Sequence, residues 1–392
     1  MPNPMPGTSE RTNKLKSSVF AVLAKRLEGY TGKRYPFHIG DNVLPPPDGA
    51  QWPNLEPQRF GNPYRYGHPN GAEGFRQRIA QKLREQNGMA WIQADNIQIS
   101  VGATHGLSCA VQALINPGEQ VLLLSPYWPL IRGICHCSAV EPVDVPFYQL
   151  LLENPETCPS SLIEPYITPK TRALYVINPN NPNGLVLSLK QMEAVANLAK
   201  EHGLWLFSDE AYENYVYQGQ HCSFAIMDGM SEQTISAYTF SKSYAMAGSR
   251  VGYIAAPDAA AAAIRKVATH SVYNTSQACQ TAAMGALEAG ADFLARAHTV
   301  YGSYAQIVAD NLQARFHPAQ GGSFVFVDLR EFGPDSLPIL EKAADCGVTF
   351  APGAIFGQGY EGYARMCFTA TDEATLREGI SIFNGVLAAA RK

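Results

Sequence analysis

Residues 238–253 of the chain read YTFSKSYAMAGSRVGY, and they place Lys242 directly after an apolar run that begins at Ile235. A second apolar run follows Arg250. Burying an ammonium group at the end of a strand is costly unless the group is paired or takes part in chemistry. A lysine in such a place shifts its pKa readily and can form a Schiff base with an aldehyde. The stretch predicts a reactive Lys242 at the end of a buried strand; a solvated loop lysine is the alternative.

Length and charge limit the classes of protein to which the chain can belong. Its 392 residues predict about two domains, at roughly 100–200 residues for each. A net charge of −4 without a basic run argues against nucleic acid as a partner. No apolar stretch approaches the roughly 18 residues that a membrane span needs. Met1–Glu10 lacks the apolar core of a signal peptide, so we expect a cytoplasmic location.

The cysteines predict neither a disulfide framework nor a metal centre. Eight cysteines in a chain of this length are not typical of a small disulfide-stabilised fold. The triplet Cys135-His136-Cys137 has no second Cys/His pair at a suitable spacing, so no residue is assigned as a metal ligand.

Apolar and amphipathic segments alternate through the middle of the chain. The predicted strands are Ile97–Val101, Gln120–Leu124, Ala173–Ile177, Leu204–Ser208, Thr234–Tyr238 and Val251–Ala255. The predicted helices are His105–Ile115, Leu189–Glu201, Ala259–Thr269 and Gln277–Ala289. Nearly all-apolar strands separated by helices predict a parallel sheet covered on both faces, with ligands at the carboxyl ends of its strands. Five chemically suggestive residues fall just after these strands, namely Gly102, Trp128, Asn178, Asp209 and Lys242.

The two ends of the chain have a different pattern. Before the sheet, Leu15–Leu27 has the periodicity of an amphipathic helix, and Pro36–Gly40 has the pattern of a short strand. After about residue 290 a long helix is predicted to run to Phe316, followed by strands at Gly321–Val327 and Ala364–Phe368 and a helix at Glu373–Ala389. We therefore expect an N-terminal segment (1–48), a large domain (49–288) and a smaller α/β domain (289–392) that the N-terminal segment completes.

Three further segments place small or polar residues directly after predicted strands. Asn178–Gly184, with the sequence NPNNPNG, predicts a rigid loop, and a simple turn is the alternative. Asp209 ends an apolar strand, where a carboxylate needs a partner; an N-cap for a following helix is the alternative. Gly102-Ala103-Thr104 opens a helix, where free N–H groups and the helix dipole suit a phosphate group.

In this order and at these distances, the segments closely resemble those of pyridoxal 5'-phosphate (PLP) enzymes of the aspartate aminotransferase superfamily, fold type I, class I/II. The resemblance covers about residues 12–390. It implies an α/β fold in which helices cover a mostly parallel seven-stranded sheet in a large domain. A smaller α/β domain would be built from both termini. Lys242 would hold the cofactor, PLP, as an aldimine.

The resemblance also assigns the groups that contact the cofactor. Asp209 would pair with the pyridine nitrogen, and Trp128 would stack on the ring. Asn181 and Tyr212 would hydrogen-bond the 3'-oxygen. The phosphate would be held by Gly102, Ala103, Thr104, Thr239, Ser241 and Arg250. Lys242, Asp209 and Tyr212 would form the catalytic group, with Lys242 moving a proton as general base and acid.

One aromatic residue of this pattern implies a second subunit. Tyr66 lies in a Tyr-Gly element that is followed by Gly71 and by Phe75-Arg76. In the family the corresponding tyrosine reaches the phosphate of the neighbouring subunit. The resemblance therefore implies a homodimer in which the active sites are shared.

Substrate contacts follow from the same resemblance. Arg365 would capture the α-carboxylate, since a planar guanidinium suits bidentate binding of a carboxylate. Gly40 would close over that carboxylate, and Asn181 and Trp128 would also line the substrate site. His270 would approach it from the partner subunit.

The chain departs from the family pattern at places that affect specificity. The family usually has an acid or Gln and then Pro after the glycine at position 40, whereas this chain has Asp41 and Asn42. Thr104 and His270 occupy positions where aspartate-specific members place a basic residue. We therefore expect an L-amino acid with a neutral, aromatic or polar side chain, rather than aspartate, to be the preferred amino donor.

The reaction expected from the resemblance is transfer of the amino group of an L-amino acid to a 2-oxo acid. A lyase, a cyclase or an oxidase acting on a modified amino acid is the alternative, because these motifs fix the cofactor better than the reaction. A non-catalytic PLP-sensing domain of a transcription regulator is a second alternative, and it would need a DNA-binding domain.

Overall fold

The structure is a computed structural model that describes residue 5, residues 7–15 and residues 20–391. The α-helices in this part of the chain are α1 (Glu10–Asn13), α2 (Phe20–Leu27), α3 (Glu73–Asn87), α4 (Gly102–Leu114), α5 (Leu130–Cys137), α6 (Tyr148–Glu153), α7 (Pro159–Ile163), α8 (Leu189–Glu201), α9 (Phe240–Ser243), α10 (Asp258–Val272), α11 (Gln277–Asn311), α12 (Leu337–Asp345) and α13 (Glu373–Ala390). The strands are β1 (Ile97–Ser100), β2 (Gln120–Ser125), β3 (Glu141–Pro146), β4 (Thr171–Ile177), β5 (Trp205–Asp209), β6 (Thr234–Thr239), β7 (Gly252–Ala255), β8 (Phe324–Asp328), β9 (Ala351–Pro352) and β10 (Tyr363–Cys367).

The larger sheet has seven strands in the order β1-β7-β6-β5-β4-β2-β3. Strand β7 is antiparallel to both of its neighbours, β1 and β6, whereas the strands from β6 to β3 pair in parallel. All strands except β7 therefore end at one edge of the sheet. This arrangement confirms the predicted α/β fold with a mostly parallel seven-stranded sheet.

Both faces of this sheet are buried. Successive side chains of a strand point to opposite faces, and in β7 Tyr253 and Ile254 enter different buried apolar clusters. The cluster that contains Ile254 is shared by β2, β4, β5 and helices α4, α8 and α10. The cluster that contains Tyr253 joins β1 to α3, α11 and the smaller sheet. One continuous apolar core therefore links the large sheet to the C-terminal part of the chain.

Helix α8 shows how the local sequence sets the ends of an element. The Ser188 hydroxyl accepts from the Gln191 N–H, and the Gln191 side chain accepts from the Ser188 N–H, which forms a capping box. Met192, Val195 and Ala199 then recur at helical spacing on the buried face. The helix ends just before Gly203, which has a positive φ of 60°.

A second, antiparallel sheet has the order β8-β10-β9. Residues from the start of the chain join it through backbone hydrogen bonds. Tyr35 forms a bridge with Val348, and the N–H of Cys367 donates to the carbonyl of Phe37. The smaller α/β unit is thus built from both ends of the chain.

All six predicted strands of the large sheet are present, within two residues of their expected bounds. The predicted helix Leu189–Glu201 coincides with α8, whereas α4 and α10 are longer than predicted. Strands β8 and β10 and helix α13 match the C-terminal predictions within three residues.

Several predictions were wrong or incomplete. The expected strand Pro36–Gly40 contains a turn at residues 37–38 instead, and Tyr35 before it forms an isolated bridge with Val348. The edge strand β3 was missed because Pro142, Asp144 and Pro146 interrupt its apolar pattern; an edge strand tolerates proline. The expected helix Leu15–Leu27 corresponds to α2 from Phe20 onward, and its residues 16–19 lie outside the described part of the chain.

Helix α11 is one continuous helix of 35 residues. The sequence suggested two helices and a domain boundary between residues 288 and 289, and this boundary lies inside α11. A division of the chain into domains at this point therefore stays a proposal. Within the described residues, no helix is both long enough and apolar enough to cross a membrane.

Candidate active site

The candidate site lies at the sheet edge where β4, β5 and β6 end. Strand β6 leads directly into the four-residue helix α9, which contains Lys242. The hydroxyl of Thr239 caps this helix by accepting from the N–H of Ser241 at 3.1 Å. This cap fixes the turn that directs Lys242 across the end of the sheet.

The Lys242 side chain is half-buried, and its amine donates a hydrogen bond to the carbonyl oxygen of Gly40. The backbone carbonyl of Lys242 accepts from the hydroxyl of Tyr215 at 2.9 Å and from the side-chain amide of Asn42 at 3.1 Å. Burial lowers the pKa of Lys242, and the positive charges of Arg365 and Arg250 act in the same direction. These surroundings favour a neutral amine, which a nucleophile or a general base needs.

The Asp209 carboxyl group lies at the end of β5 and is 4% exposed. One oxygen accepts from the hydroxyl of Tyr175 at 2.7 Å, and the other accepts from the N–H of Ala211 at 3.2 Å. Burial raises the pKa of Asp209 to about 6, although these hydrogen bonds lower it. Among the described residues no cation forms an ion pair with this carboxylate, so it can take a cationic partner from a bound molecule.

A cavity of about 150 Å³ lies between Lys242 and Asp209 and opens to solvent. Its lining is Ala103, Thr104, Trp128, Ile177, Asn181, Asp209, Ala211, Tyr212, Thr239, Ser241, Lys242, Ala247 and Arg250. The structure therefore brings together ten of the predicted site residues around one space. The three lining residues that were not predicted are Ile177, Ala211 and Ala247.

The wall nearest to α4 is cationic. The N-terminus of α4 begins at Gly102, and Ala103 and Thr104 of its first turn line the cavity. A Cβ atom at Gly102 would lie 2.6 Å from a guanidinium nitrogen of Arg250, so only glycine lets this guanidinium lie against the helix start. Arg250 itself has a positive φ of 50°, and its Nη1 donates to the carbonyl oxygen of Ala247 at 2.8 Å. Free N–H groups and a guanidinium at one place can hold a phosphate dianion.

Arg365 lies on β10, on the side of the site that the smaller sheet forms. It is 7% exposed, and it donates to the side-chain oxygen of Asn181 at 3.0 Å and to the backbone carbonyl of His38 at 2.9 Å. Its guanidinium carbon is 4.1 Å from the ring centroid of Phe324, and burial lowers its pKa. In the described part of the chain, its Nε has no hydrogen-bond partner and its guanidinium forms no ion pair. A buried cation in these surroundings can bind a carboxylate.

Asn181 connects this arginine to the cavity. Its side-chain amide donates to the hydroxyl of Tyr212 at 3.4 Å. Burial raises the pKa of Tyr212, which therefore stays a neutral phenol and can donate a hydrogen bond. Gly40 is close by: a Cβ atom there would lie 3.0 Å from the ring of Phe324 and 3.8 Å from Arg365.

Five predicted site residues are not among those that line the cavity: Gly40, Gly102 and Arg365 lie beside it, whereas Tyr66 and His270 are exposed elsewhere. Tyr66 is 86% exposed, and its ring contacts that of Tyr273 edge-on at 5.1 Å. His270 is exposed near the end of α10. The sequence assigned both residues to the site of a partner subunit, and this assignment stays a prediction.

Tyr175 is the contact of Asp209 that the sequence analysis missed. It lies on β4, whose Ile177 pairs with Asp209 of β5 in parallel register. A buried tyrosine hydroxyl usually finds a hydrogen-bond partner. The tyrosine within an apolar strand therefore indicated that a polar group lies next to it. Identifying that group as Asp209 requires knowing that β4 and β5 are neighbours in the sheet.

Comparison with known proteins agrees with this fold and site. The family model for aminotransferase class I and II matches residues 47–383. The chain is 32% identical to arginine–pyruvate transaminase AruH of Pseudomonas aeruginosa over 333 residues, which cover 84% of each chain. It is 33% identical to aromatic-amino-acid aminotransferase 2 of Thermococcus litoralis over 330 residues, which cover 81% of this chain and 83% of the relative. A solved structure of a double mutant of Thermus thermophilus aspartate aminotransferase superposes with a TM-score of 0.90, at 28% identity, over 97% of this chain and 100% of that one.

The seven-stranded sheet with a lysine at the end of β6 defines a fold type I enzyme. The chain belongs to the aminotransferase class I and II family, whose model spans most of its length. The assignment to the aminotransferase superfamily that the sequence motifs predicted is therefore confirmed.

Proposed function

We propose that this aminotransferase binds PLP in the cavity between Lys242 and Asp209 and transfers the amino group of an L-amino acid to a 2-oxo acid. The observation that carries the proposal is the placement of three groups around one cavity. These are a half-buried lysine amine, a buried carboxylate without a cation among the described residues, and a guanidinium at a helix N-terminus. The names of the relatives, which refer to arginine, aromatic amino acids and aspartate, support the same reaction type.

The residues of the cavity fit PLP group by group. A protonated pyridine nitrogen would supply the cation that Asp209 lacks in the described chain. Arg250 and the first turn of α4 would hold the phosphate, and the amine of Lys242 would react with the aldehyde. When bound, the cofactor supplies an electron sink for the carbanion of the substrate.

The protein's own groups would bind and orient the amino acid and move its proton. Arg365 would bind the α-carboxylate and so fix the direction of the Cα–H bond relative to Lys242. Because burial lowers the pKa of Lys242, and two nearby cations act in the same direction, its amine is more readily neutral and able to accept that proton. Tyr212 and Asn181 would donate hydrogen bonds at the cofactor's 3'-oxygen.

The charges around the cavity support a proposal for the side-chain specificity. The cations that line it are Lys242 and Arg250, both used by the proposed cofactor contacts, and Thr104 is neutral. Trp128, which lines the cavity and is assigned to both the cofactor and the substrate, is aromatic and half-buried. We propose that a neutral, aromatic or polar L-amino acid is preferred over aspartate as the amino donor.

The proposal includes two features of the whole protein that follow from the family resemblance. The active protein would be a homodimer in which Tyr66 and His270 reach the partner's site. Its expected location is the cytoplasm.

The cofactor site is tested by chemical labelling. After incubation with PLP and reduction with borohydride, peptide mapping should find a pyridoxyl group on Lys242. The Lys242→Ala variant should carry no label, while Lys200→Ala should be labelled like the wild type, because Lys200 donates to Asp228 on the surface. Labelling mainly at another lysine would refute the assignment.

The reaction type is tested with the loaded enzyme and single amino acids, without any 2-oxo acid acceptor. Phenylalanine or tyrosine should release about one equivalent of its 2-oxo acid per site, and aspartate should react more slowly. Continued release of ammonia, a cyclised product or hydrogen peroxide would replace the transaminase proposal with the lyase, cyclase or oxidase alternative.

A further inference from the structure

A polar cluster lies beside the candidate site, outside the residues that line its cavity. The carboxylate of Asp144, on the edge strand β3, accepts from the hydroxyl of Tyr127 at 2.8 Å and pairs with the guanidinium of Arg132. The same guanidinium donates to the Tyr127 hydroxyl at 3.2 Å. The Asp144 side chain is only 7% exposed, and no part of the proposed mechanism uses it.

This cluster holds a turn that comes from the other sheet. We call Phe356, Gly357 and Gln358 the 356–358 turn; it follows β9 and precedes β10. The N–H of Gln358 donates to Asp144 at 3.0 Å, and the N–H of Tyr127 donates to the carbonyl of Phe356 at 3.0 Å. The turn is therefore clamped at both ends, by Tyr127 just after β2 and by Asp144 on the edge strand β3.

Close packing at the middle of the turn supports the clamp. Gly357 has a positive φ of 137°, and a Cβ atom there would lie 3.0 Å from the Cβ of Ser125 at the end of β2. A side chain at this position would strain the backbone and push the turn away from the sheet. The turn thus depends on both the glycine and the hydrogen bonds of the clamp.

The clamped turn carries one of the two rings that contact Arg365 among the described residues. The ring centroid of Phe356 is 5.1 Å from the guanidinium carbon of Arg365, and the Phe356 side chain is fully buried. Phe356 also packs edge-on against Phe326 at 5.6 Å. A shift of the turn would therefore remove packing from the guanidinium that is proposed to bind the substrate carboxylate.

We propose that Asp144 is a positioning residue that holds the 356–358 turn and, through Phe356, the guanidinium of Arg365. This inference rests on the proposed role of Arg365 in binding the α-carboxylate. Asp144 does not touch the cavity, and it acts by joining the edge of the large sheet to the smaller sheet. Neither the motifs in the sequence nor the residues around the cavity identify it.

Asp144→Asn tests the inference, because an amide keeps the shape but cannot accept from both Gln358 and the Tyr127–Arg132 pair. Glu119→Gln is the matched control. Glu119 also accepts from an arginine, Arg172 at 2.7 Å, and from a backbone N–H, that of Asn116 at 2.8 Å, but it precedes the start of β2, at the other end of the sheet.

Two measurements on the PLP-loaded protein detect the effect of the substitution on carboxylate binding and on the turn, and neither depends on catalytic turnover. The first is calorimetric binding of 3-phenylpropionate, a carboxylate without the reacting amino group. The second is hydrogen exchange of the Gln358 amide. Asp144→Asn should weaken binding about five- to tenfold and should speed up the exchange by at least that factor, as expected for the loss of one or two hydrogen bonds. Glu119→Gln should change neither by more than about twofold.

The outcomes separate this inference from the proposed function. If Arg365→Lys weakens binding of 3-phenylpropionate but Asp144→Asn leaves both binding and Gln358 exchange unchanged, the positioning role is wrong. If Arg365→Lys has no effect on binding, the carboxylate role of Arg365 fails, and this inference fails with it. If Asp144→Asn speeds up exchange without weakening binding, the clamp is purely structural and the inference is overturned.

Discussion

At the residue scale, the surroundings of Asp209 are suited to pairing its carboxylate with a cationic group of a bound molecule. Its carboxylate is buried beside Tyr175, and in the described chain no cation pairs with it. The sequence predicted this residue and Lys242, because a charged group directly after an apolar strand is costly without a use. Tyr175 and Asn42 could not be predicted, since their contacts depend on how neighbouring strands and a distant loop pack.

The Asp209 carboxyl should reveal itself in the pH dependence of stability of the cofactor-free protein. Because burial raises its pKa to about 6, its contribution to the free energy of unfolding is full below about pH 4 and is lost as pH rises through 6. The loss is on the order of 1–3 kcal/mol. The Asp209→Asn variant is the reference, because Asn cannot ionise. In urea titrations, the free energy of unfolding of the wild type should fall relative to that of this variant between pH 5 and pH 7.5. A difference that stays constant over this range would contradict the prediction.

The same substitution tests the proposed catalytic role. With PLP bound, Asp209→Asn or Asp209→Ala should lower turnover by at least about a hundredfold, because the pyridine nitrogen loses its charged partner. Labelling of Lys242 should persist in both variants. Near-normal turnover would rule out the pairing of Asp209 with the pyridine nitrogen.

At the element scale, strands were easier to predict than the connections that bring them together. Each buried strand of the large sheet has a nearly continuous apolar sequence, and this pattern located six of its seven strands. Strand β3 was not predicted because its prolines and Asp144 interrupt the apolar pattern of the strand. The clamp on the 356–358 turn nevertheless depends on Asp144. Helix α11 was divided into two in the prediction because its sequence changes character halfway, while its backbone continues without interruption.

Two glycines of α11 should respond to substitution in opposite ways. Gly285 packs directly against the backbone carbonyl of Gly49, so a methyl group there would force the two segments apart. Gly285→Ala should destabilise the protein by about 1–3 kcal/mol, as overpacking usually does. Gly302→Ala is the control, because its Cβ would lie 3.4 Å from the ring of Tyr217 in ordinary contact. This control should be neutral or should stabilise by up to about 1 kcal/mol, as seen in thermal unfolding. Equal effects of the two substitutions would contradict the close-packing argument.

At the scale of the whole molecule, the exposed aromatic residues suggest where a second subunit binds. Tyr64 is 96% exposed and Tyr66 86%, and Tyr66 contacts Tyr273 on the same surface. Exposed apolar surface of this kind often marks an interface. The motif around Tyr66 predicted a dimer from the sequence, and these exposed rings identify the surface on which the proposed dimer can be tested.

A charged substitution on this surface tests the proposed dimer. Tyr273→Asp should weaken self-association at least about tenfold and lower activity in parallel, because a buried unpaired charge is costly at an interface. Leu189→Asp places the same charge on another exposed apolar position, at the start of α8, and it should change neither property. Sedimentation equilibrium at several concentrations measures the difference. A wild-type monomer with full activity would refute the shared site.

The pairing of the two ends of the chain has a consequence for how the protein is made. Tyr35 and Phe37 bond to the backbone of residues more than 300 positions later, and Gly40 meets Lys242 across about half the chain. The ribosome adds Gly347, Thr349 and Cys367 more than 300 residues after Tyr35 and Phe37, so these two aromatic residues lack their partners while the large sheet can already form. Contacts this distant in sequence are slow to form. We therefore expect the large sheet to form before Tyr35 and Phe37 pair with the smaller sheet, and chaperones can bind the protein in that interval.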